Sequence, residues 1–242
     1  MKPGFLKAGK WLLNAVLPRA CPHCGLDLHY LEAGPLCPAC AGALERPAGP
    51  CCGRCGLPLE GGGASCPDCR GAGRRALELA RAAYVFNPQL RSLVHACKYR
   101  GRDDLALWLG GEMAAALKGL PELAPYAFCL AVPLHPARLR ERGFNQAELL
   151  ARRLAPAAGL FFLDGALRRR RDTPSQTSLG RDARRANVEG AFEAARPELL
   201  RDRRVLLVDD VATTLATLEA AAAAALAAGA RSVAAFTLAR EP

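Results

Sequence analysis

Eight cysteines near the amino end of the chain have the spacing of a metal-binding module. They form four Cys-x-x-Cys pairs, and each pair makes a short turn that points two thiolates at one metal ion. The pairs are Cys21/Cys24, Cys37/Cys40, Cys52/Cys55 and Cys66/Cys69. Two such turns complete the tetrahedral set of four sulfurs that zinc prefers. The spacing therefore predicts structural Zn²⁺, with two ribbons closed in sequence.

Other arrangements could use the same thiols. The pairs could interleave, a single site could be filled, or the cysteines could hold an iron–sulfur cluster. Disulfides are a further alternative, but they suit a reducing cytosol poorly and would leave Cys51 without a partner. Four cysteines suffice for each zinc ion, so we expect His23 and His29 to be bystanders. Cys97 and Cys129 stand in apolar segments and are expected in the core.

A module rich in Gly, Pro and Cys builds little hydrophobic core of its own. Bound metal must then supply its folding energy, and chelation should unfold it. All-thiolate zinc sites leave no open position for a substrate, so we expect this zinc to be structural. Chemistry must therefore be sought downstream of the cysteines.

An acidic pair followed by hydroxyl side chains stands near the carboxyl end. The aliphatic run Val205–Val208 ends in Asp209 and Asp210. Three hydroxyls precede an alanine-rich helix: Thr213, Thr214 and Thr217. Backbone amides at a helix start, helped by hydroxyls, can donate to a phosphate, and two acids beside them suit ribose hydroxyls or water around magnesium. The competing interpretation is that the acids only cap a helix.

Apolar strands alternate with helices from Arg75 onward, as in a parallel α/β fold. The predicted strands are Ala83–Phe86, Phe128–Val132, Val205–Val208 and Ser232–Leu238, and the predicted helices are Leu90–Arg100, Asp103–Lys118, Phe144–Ala155 and Thr217–Ala228. This alternation predicts a mostly parallel sheet with helices on both faces. We divide the chain into a helical lead-in (1–20), a cysteine module (21–74) and an α/β domain (75–242).

Arginine dominates the formal net charge of +10. Residues 131–204 contain 16 arginines and nine acidic residues. Most of these arginines are interpreted as solvated cations, but the block Arg168–Arg171 should meet an anion, because four adjacent cations repel one another. A second cluster sets an aromatic ring beside cations, as single-stranded DNA binding requires, unless it is simply a cationic helix end. It consists of Lys98, Tyr99, Arg100 and Arg102.

We expect no membrane span and a cytoplasmic location. The longest apolar run near the amino end, Trp11–Leu17, stops at Pro18 and falls short of the ~18 residues that a membrane helix needs. Lysines before this run could mimic a secretion signal, but Pro18-Arg19-Ala20 lacks the small-residue pattern of a cleavage site.

Taken together, these motifs resemble the ComF/GntX family of competence-associated proteins, whose carboxyl-terminal domain is similar to type I phosphoribosyltransferases. The likeness covers nearly the whole chain. It includes the paired cysteines, Val132–His135 with Arg138, Arg142–Ala147, Thr173–Thr177 leading to Arg181, Asn187-Val188, Ala191-Phe192 and the Asp209-Asp210 loop.

The resemblance implies a type I phosphoribosyltransferase-like sheet that binds 5-phosphoribosyl 1-diphosphate (PRPP) with Mg²⁺. Asp209 and Asp210 would bind the ribose, and the 5-phosphate would meet Thr213, Thr214, Leu215, Ala216 and Thr217. The loop of Val132, Pro133 and Leu134 would meet the diphosphate through magnesium. The diphosphate or a second ligand could be reached by Arg142, Asn145 and Gln146. Residues 168–187 would occupy the position of a mobile hood.

Leu215 departs from the family pattern, which usually has glycine at this position. Glycine allows close backbone approach to phosphate, so a branched side chain could narrow the cup or force a less permissive backbone geometry. Alternatively, the side chain turns into the core while the amide still donates. The sequence supports both interpretations equally.

Three functions fit these observations. The first is a DNA-uptake or single-stranded-DNA-handling protein with a PRPP or sugar-phosphate site and, in addition, protein partners in DNA uptake. The second is a magnesium-dependent phosphoribosyltransferase, whose chemistry depends on positioning and so would show few catalytic side chains. His135, within the motifs, is then more plausible as a structural residue than as an acid or base. The third is a scaffold whose sugar-phosphate site is vestigial, which Leu215 supports best.

Overall fold

The computed structural model describes residues 19–29, 34–59, 61–71, 73, 75–99, 102–172 and 186–241. Most of the predicted lead-in, residues 1–18, therefore lies outside the described residues. Within them, no helix combines the length and the apolar character that crossing a membrane requires.

The strands and helices follow the predicted alternation. The strands are β1 (Arg19–Ala20), β2 (Asp27–Leu28), β3 (Ala80–Val85), β4 (Phe128–Ala131), β5 (Phe161–Phe162), β6 (Leu167–Arg169), β7 (Phe192–Ala194), β8 (Arg204–Ala212) and β9 (Ser232–Arg240). The helices are α1 (Pro38–Gly42), α2 (Pro67–Arg70), α3 (Pro88–Tyr99), α4 (Asp103–Leu117), α5 (Pro136–Arg142), α6 (Gln146–Ala158) and α7 (Ala216–Ala227). Every element predicted for the α/β domain is present.

A five-stranded, fully parallel sheet forms the centre of the fold. Its strand order is β3-β9-β8-β4-β5, and helices cover both faces. The predicted fold class, a mostly parallel sheet covered on both sides, is confirmed. Two small antiparallel sheets join β1 to β2 and β6 to β7. Short elements such as β5–β7 were not predicted, because two or three residues carry too little periodicity to be recognised.

Element ends differ from the prediction for local reasons. β8 continues past Val208 through the acidic pair to Ala212, so the acids belong to the strand. α6 begins at Gln146 because the side chain of Asn145 caps it, accepting a hydrogen bond from the amide of Ala147. A helix beginning at Phe144 would have lost that cap.

The sheet separates two hydrophobic cores, and β8 contributes to both. Leu206 and Val208 face the core under α3, α4 and α6. Val205 and Leu207 face the core under α7. Since successive side chains of a strand point to opposite faces, an uninterrupted aliphatic run is what a strand buried on both sides requires.

The two cysteine sets are buried in different cores, on opposite faces of the sheet. Cys21, Cys37 and Cys40 pack with the α3/α4/α6 side. The second set, Cys52/Cys55/Cys66/Cys69, packs with the α7 side. The cysteine module therefore shares its apolar packing with the α/β domain. The sequence suggested that metal supplies the folding energy of the module, but this packing is a second source.

Backbone hydrogen bonds from the cysteine module cover the edge of the sheet. The amide of Ala80 donates to Arg54 O at 2.7 Å, and the amide of Val85 donates to Glu45 O at 2.8 Å. Strand β3 is an edge strand, and an uncovered edge invites pairing with other chains. The two ribbons protect this edge at both ends of β3.

Gly56 and Gly25 provide a matched test of the contact between the second ribbon and the sheet. Each follows the second cysteine of a pair, with φ of 68° at Gly56 and 76° at Gly25. A Cβ added at Gly56 would lie 2.7 Å from Ala80 O, whereas one at Gly25 would meet nothing within 4 Å. Both alanine variants should lose the roughly 1–2 kcal/mol that left-handed backbone costs a non-glycine residue. Gly56→Ala should lose clearly more stability, because its added Cβ also collides with Ala80 O.

The measurement is chemical unfolding of both zinc-loaded variants beside the wild type. Equal destabilisation by Gly25→Ala and Gly56→Ala would show that the second ribbon does not press on β3 as described.

Candidate functional site

The eight predicted metal ligands come together as two separate four-cysteine sets. One set is Cys21/Cys24/Cys37/Cys40 and the other is Cys52/Cys55/Cys66/Cys69. Within each set the sulfur atoms lie within 4.8 Å of one another, and two measured Sγ–Sγ distances are 3.7 Å and 3.6 Å. Tetrahedral zinc with ~2.3 Å bonds needs sulfurs ~3.8 Å apart, so the donor sets fit zinc. The pairing in sequence is confirmed.

Backbone amides prepare one thiolate in each set for the metal. Burial alone would raise the pKa of Cys21, but hydrogen bonds from the backbone of Cys24, Cys37 and His23 lower it to about 6. Cys52 has the same balance of causes and a pKa of about 6. Hydrogen bonds of this kind favour the charged form that binds zinc.

The other cysteines and histidines stand where the sequence analysis expected them. Cys97 and Cys129 are buried in the α3/α4/α6 core, and burial raises the pKa of both thiols to about 12. His23 lies outside the sulfur set, with Nδ1 3.0 Å from Ser92 Oγ. His135 caps α5 by accepting a hydrogen bond from the amide of Ala137, which is a structural role.

The acidic pair lies at the carboxyl end of β8, beside a crevice between strands. The chain runs outward from β4 to β5 on one side and from β8 to β9 on the other, so the connections diverge between β4 and β8. Ligands of open parallel sheets bind at the carboxyl ends of strands at such a point. Val132 follows β4 there, and its amide donates to Val208 O at 2.9 Å. The predicted diphosphate loop and the acidic pair are therefore neighbours.

Lys98 forms an ion pair with the acidic pair. Its Nζ lies 2.5 Å from Asp210 Oδ2, and the lysine side chain is only 24% exposed. Burial by itself would lower the pKa of Lys98, but Asp210 and Asp209 outweigh burial and raise it. Lys98 therefore stays charged and offsets one of the two negative charges. From the sequence, this lysine was assigned either to a DNA-binding cluster or to a cationic helix end, and it does lie in the last turn of α3.

The two carboxyl groups of the pair differ in environment. Burial, together with the negative charge of Asp210, raises the pKa of Asp209 to about 7. Each carboxylate accepts a hydrogen bond from the following amide, at 2.9 Å for Asp209 and 2.7 Å for Asp210. These bonds orient both side chains at the strand end, and Lys98 is the partner of Asp210.

Asn145 secures the loop that follows β4. Its Nδ2 donates to Val132 O at 3.0 Å, and its Oδ1 accepts from the amide of Ala147 at 3.2 Å. Only 8% of Asn145 is exposed. Asn145 was predicted to bind a ligand, but both the nitrogen and the oxygen of its side-chain amide form hydrogen bonds within the protein. Its position connects the start of α6 to the loop 132–134.

Arg142 and Gln146 form a polar pair on the same side as Lys98. Arg142 Nη1 donates to Gln146 Oε1 at 2.6 Å. Gln146 is 4% exposed, and within the described part of the chain its Nε2 has no hydrogen-bond partner. Gln146 lines a small cavity together with Asp210 and Cys97. The pair therefore belongs to the wall of the acidic site.

Leu215 adopts the left-handed backbone geometry that glycine usually supplies in the predicted phosphate loop. Its φ is 64° and its ψ is 2°, and its side chain, 5% exposed, packs into the α7 core. Left-handed backbone costs roughly 1–2 kcal/mol, whereas burying a leucine side chain returns roughly 1.5–3 kcal/mol. Packing therefore offsets the strain, and the side chain points into the core rather than into the loop.

Arg240 supports the loop that follows β8, a role that was not predicted from the sequence. Its Nη1 donates to Ala212 O at 3.0 Å, to Glu241 O at 2.7 Å and to Thr213 O. The side chain is 8% exposed. It engages loop carbonyls that would repel an anion and puts a positive charge under the loop. The feature of the sequence that could have indicated this role is the position of the arginine, two residues beyond the predicted end of the last strand.

The second cysteine ribbon faces the loop across a cavity of about 910 Å³. Thr213 and Thr214 line one side, and Cys55, Leu57 and Cys69 line the other. Its volume falls in the range of small-molecule sites. The cysteine module thus borders the predicted phosphate loop, whereas the acidic pair and the loop 132–134 are not among the residues that line this cavity.

Two arginines of the block Arg168–Arg171 share one carboxylate of the chain itself. Arg168 and Arg170 both pair with Glu193 on the neighbouring strand β7, and Arg171 donates to Glu189 O at 2.7 Å. Arg169 points the other way and stacks on Phe192. One carboxylate thus serves two of the four arginines, and an external anion at this block stays a prediction.

The remaining predicted residues either pair elsewhere or lie outside the described part of the chain. Arg102 pairs with Asp104 at 2.7 and 2.8 Å. Arg100, the side chain of Tyr99, the segment Thr173–Thr177 and Arg181 lie outside the described residues. The hood expected over residues 168–187 is therefore described only at its two ends.

Comparison with known proteins matches both halves of the chain. A model of the double zinc ribbon domain matches residues 12–70, and a model of the phosphoribosyl transferase domain matches residues 139–242. The chain is 31% identical over 232 residues to the DNA utilization protein YhgH of Salmonella typhi, covering 93% of this chain and 98% of that protein. It is 30% identical over 206 residues to Competence protein F of Haemophilus influenzae, covering 82% and 86%.

A more distant relative supports the same assignment. Competence protein ComFC of Bacillus subtilis is 29% identical over 221 residues, covering 85% of this chain and 84% of that protein. These alignments extend over both the zinc-ribbon part and the phosphoribosyl transferase part of this chain. The chain therefore belongs to the ComF/GntX family of competence-associated proteins.

Proposed function

We propose that this protein acts in DNA uptake, handling single-stranded DNA, and binds PRPP or a related sugar phosphate in the crevice between β4 and β8. The observation that carries the proposal is the juxtaposition of the Asp209-Asp210 pair, the loop 132–134 and the start of α7 at one edge of the sheet. A ribose diol, a diphosphate and a 5-phosphate need these three kinds of group. The names of the relatives, which refer to competence and DNA utilization, supply the biological role.

The charges in the crevice suit a sugar phosphate. Two carboxylates beside a phosphate loop would repel an anion, but Lys98 offsets one of them. The remaining acid can accept hydrogen bonds from ribose hydroxyls. The start of α7, with Thr213 and Thr214 and the charge of Arg240 beneath, favours the 5-phosphate.

Mg²⁺ fits this site as a companion of the diphosphate. The carboxylate oxygens at the end of β8 are donors that magnesium prefers, and the loop 132–134 would stand next to the diphosphate. When bound, the ion would neutralise charge on that group. Asp209 and Asp210 orient the ribose, and Asn145 keeps the loop in place.

Location and partners complete the proposal. Eight zinc-binding thiolates need reducing surroundings, so we place the protein in the cytoplasm. There it would meet incoming single-stranded DNA and the proteins that deliver it.

An active phosphoribosyltransferase is the second candidate. The match to the phosphoribosyl transferase domain and the position of the acidic pair favour it. In that case an acceptor would displace diphosphate at the anomeric carbon. A vestigial site is less well supported, because Leu215 takes the backbone shape of the usual glycine with its side chain in the core.

PRPP should stabilise the zinc-loaded protein against thermal unfolding when magnesium is present. The Asp209→Asn/Asp210→Asn double variant should lose this upward shift, because the ribose hydroxyls lose their charged acceptors. A ligand at 100 times its dissociation constant stabilises by about 2.7 kcal/mol, which is easily measured. Asp202→Asn is the matched control, since it removes an exposed carboxylate at the far end of β8.

Two results would contradict the proposal. One is no shift with millimolar PRPP, and the other is the same shift in the wild type and the double variant. Diphosphate release in the presence of nucleobases or ammonia would separate the transferase from a protein that only binds PRPP.

Asp209 should make stability depend on pH when no magnesium or ligand is present. With a pKa of about 7, the folded chain keeps a proton on Asp209 that the unfolded chain releases near pH 4. The folded state binds more protons in this window, so its stability falls as pH rises, by at most about 1.4 kcal/mol per pH unit. Asp209→Asn should lack this slope.

Urea unfolding between pH 5 and pH 8 gives the measurement. As the pH rises, the free energy of unfolding of the wild type should decline relative to that of Asp209→Asn. Above pH 7 the difference between the two free energies should stay constant. Parallel curves would mean that Asp209 ionises normally in the folded protein.

A further inference from the structure

We propose that single-stranded nucleic acid binds along the amino-terminal edge of the five-stranded sheet, across a surface made of Phe161, Phe128, Arg203 and Arg231. This surface, the amino-edge surface, lies at the opposite end of the strands from the acidic pair. The inference rests on the proposed DNA-handling function and assigns it a location.

Strand order brings these four residues into a row. All five strands are parallel, so their amino ends meet at one edge of the sheet. Phe161 opens β5 and pairs in register with Phe128, which opens β4. Arg203 precedes β8, and its carbonyl accepts a hydrogen bond from the amide of Arg231 at 2.8 Å, just before β9. Three inter-strand steps make a track about 14 Å long.

The row begins with an aromatic platform. Phe161 is 66% exposed, and it is the one aromatic among the strongly exposed large apolar side chains of the described residues. Its ring lies 5.6 Å from that of Phe128, centroid to centroid. The guanidinium of Arg203 lies 4.4 Å from the centroid of the Phe128 ring. An exposed ring beside cations is the combination on which single-stranded bases stack.

The arginines of this edge form no ion pair with an acid in the part of the chain that the structure describes. Among the described residues, no carboxylate forms an ion pair with Arg201, Arg203, Arg204 or Arg231. Two acids stand nearby: Glu78, which accepts a hydrogen bond from Tyr126 at 2.7 Å, and Asp202. Four cations against two acids leave a net positive edge that complements a phosphate backbone.

The arginine block of the β6–β7 sheet is a weaker candidate for the same partner. Glu193 pairs with both Arg168 and Arg170 there, and Arg169 covers Phe192 instead of exposing a ring. A phosphate would have to displace an existing ion pair. At the amino-edge surface no ion pair needs to break, and the ring of Phe161 is already exposed.

The test is fluorescence anisotropy of a labelled oligothymidine with full-length, zinc-loaded protein over a range of salt concentrations. Arg203→Gln/Arg231→Gln removes two cations of the surface, and Phe161→Ala removes the platform. The matched control, Arg168→Gln/Arg170→Gln, removes the same number of cations from the paired block. Retention of the PRPP thermal shift checks that each variant is folded.

The arginine double variant should bind more weakly and with a shallower salt dependence. Its slope in a log–log plot should fall by about 1.4, because each of the two arginines accounts for about 0.7 of the slope when it neutralises a phosphate. Phe161→Ala should lose affinity roughly tenfold without a change of slope, because stacking is not electrostatic. The control should bind like the wild type.

The possible failures are distinguishable. If the wild type binds no oligonucleotide even at low salt, the DNA-handling part of the proposed function fails, and this inference fails with it. If the wild type binds but the amino-edge variants bind equally well, only this inference is overturned. It is also overturned if Phe161→Ala leaves DNA binding intact but dissociates a dimer in analytical ultracentrifugation, since the edge would then pair with a second copy.

Discussion

The alternation of side chains along β8 is the constraint on which the rest of the structure depends. Leu206 and Val208 enter one core while Val205 and Leu207 enter the other. One strand thus holds two layers of helices and two cysteine ribbons together. Because it is central and parallel to both neighbours, it delivers the acidic pair to the carboxyl edge beside the loop after β4. Disturbing its register by one residue would exchange the faces and misplace the acids.

Charge compensation shapes the candidate site more than any single ligand-binding group. Lys98 comes from α3, far from the acids in sequence, and its contact with Asp210 offsets negative charge in the crevice where we propose a phosphorylated sugar. Arg240 has the matching role beneath the phosphate loop, where it engages carbonyls that would otherwise face an anion. A similar compensation occurs at Leu215, where burial of the side chain offsets the cost of a left-handed backbone that glycine normally provides.

A parallel sheet has two chemically different edges, and we propose a ligand for each. Strand ends that carry acids and a helix start form the carboxyl edge, which suits a small sugar phosphate. Aromatic and arginine side chains form the amino edge, which suits a flexible polyanion. The ribbons cover β3 along its side, and the second ribbon also lines the cavity beside Thr213 and Thr214 at the carboxyl edge. In this arrangement, nucleic acid and sugar phosphate could be bound at the same time.

The sequence alone determined the features that depend on local spacing. Cysteine pairs predict two four-sulfur sets because each pair is a self-contained turn, and the apolar runs predict a parallel sheet because a strand buried on both faces must be continuously aliphatic. The order of the motifs also indicated the family. Only the tertiary structure decided which groups neutralise one another. Lys98 meets Asp210 across 112 positions, Arg240 reaches back to Thr213, and Glu193 pairs with Arg168 and Arg170. Such pairings depend on how the strands are ordered and in which direction each side chain points, and neither is contained in the spacing of residues along the chain.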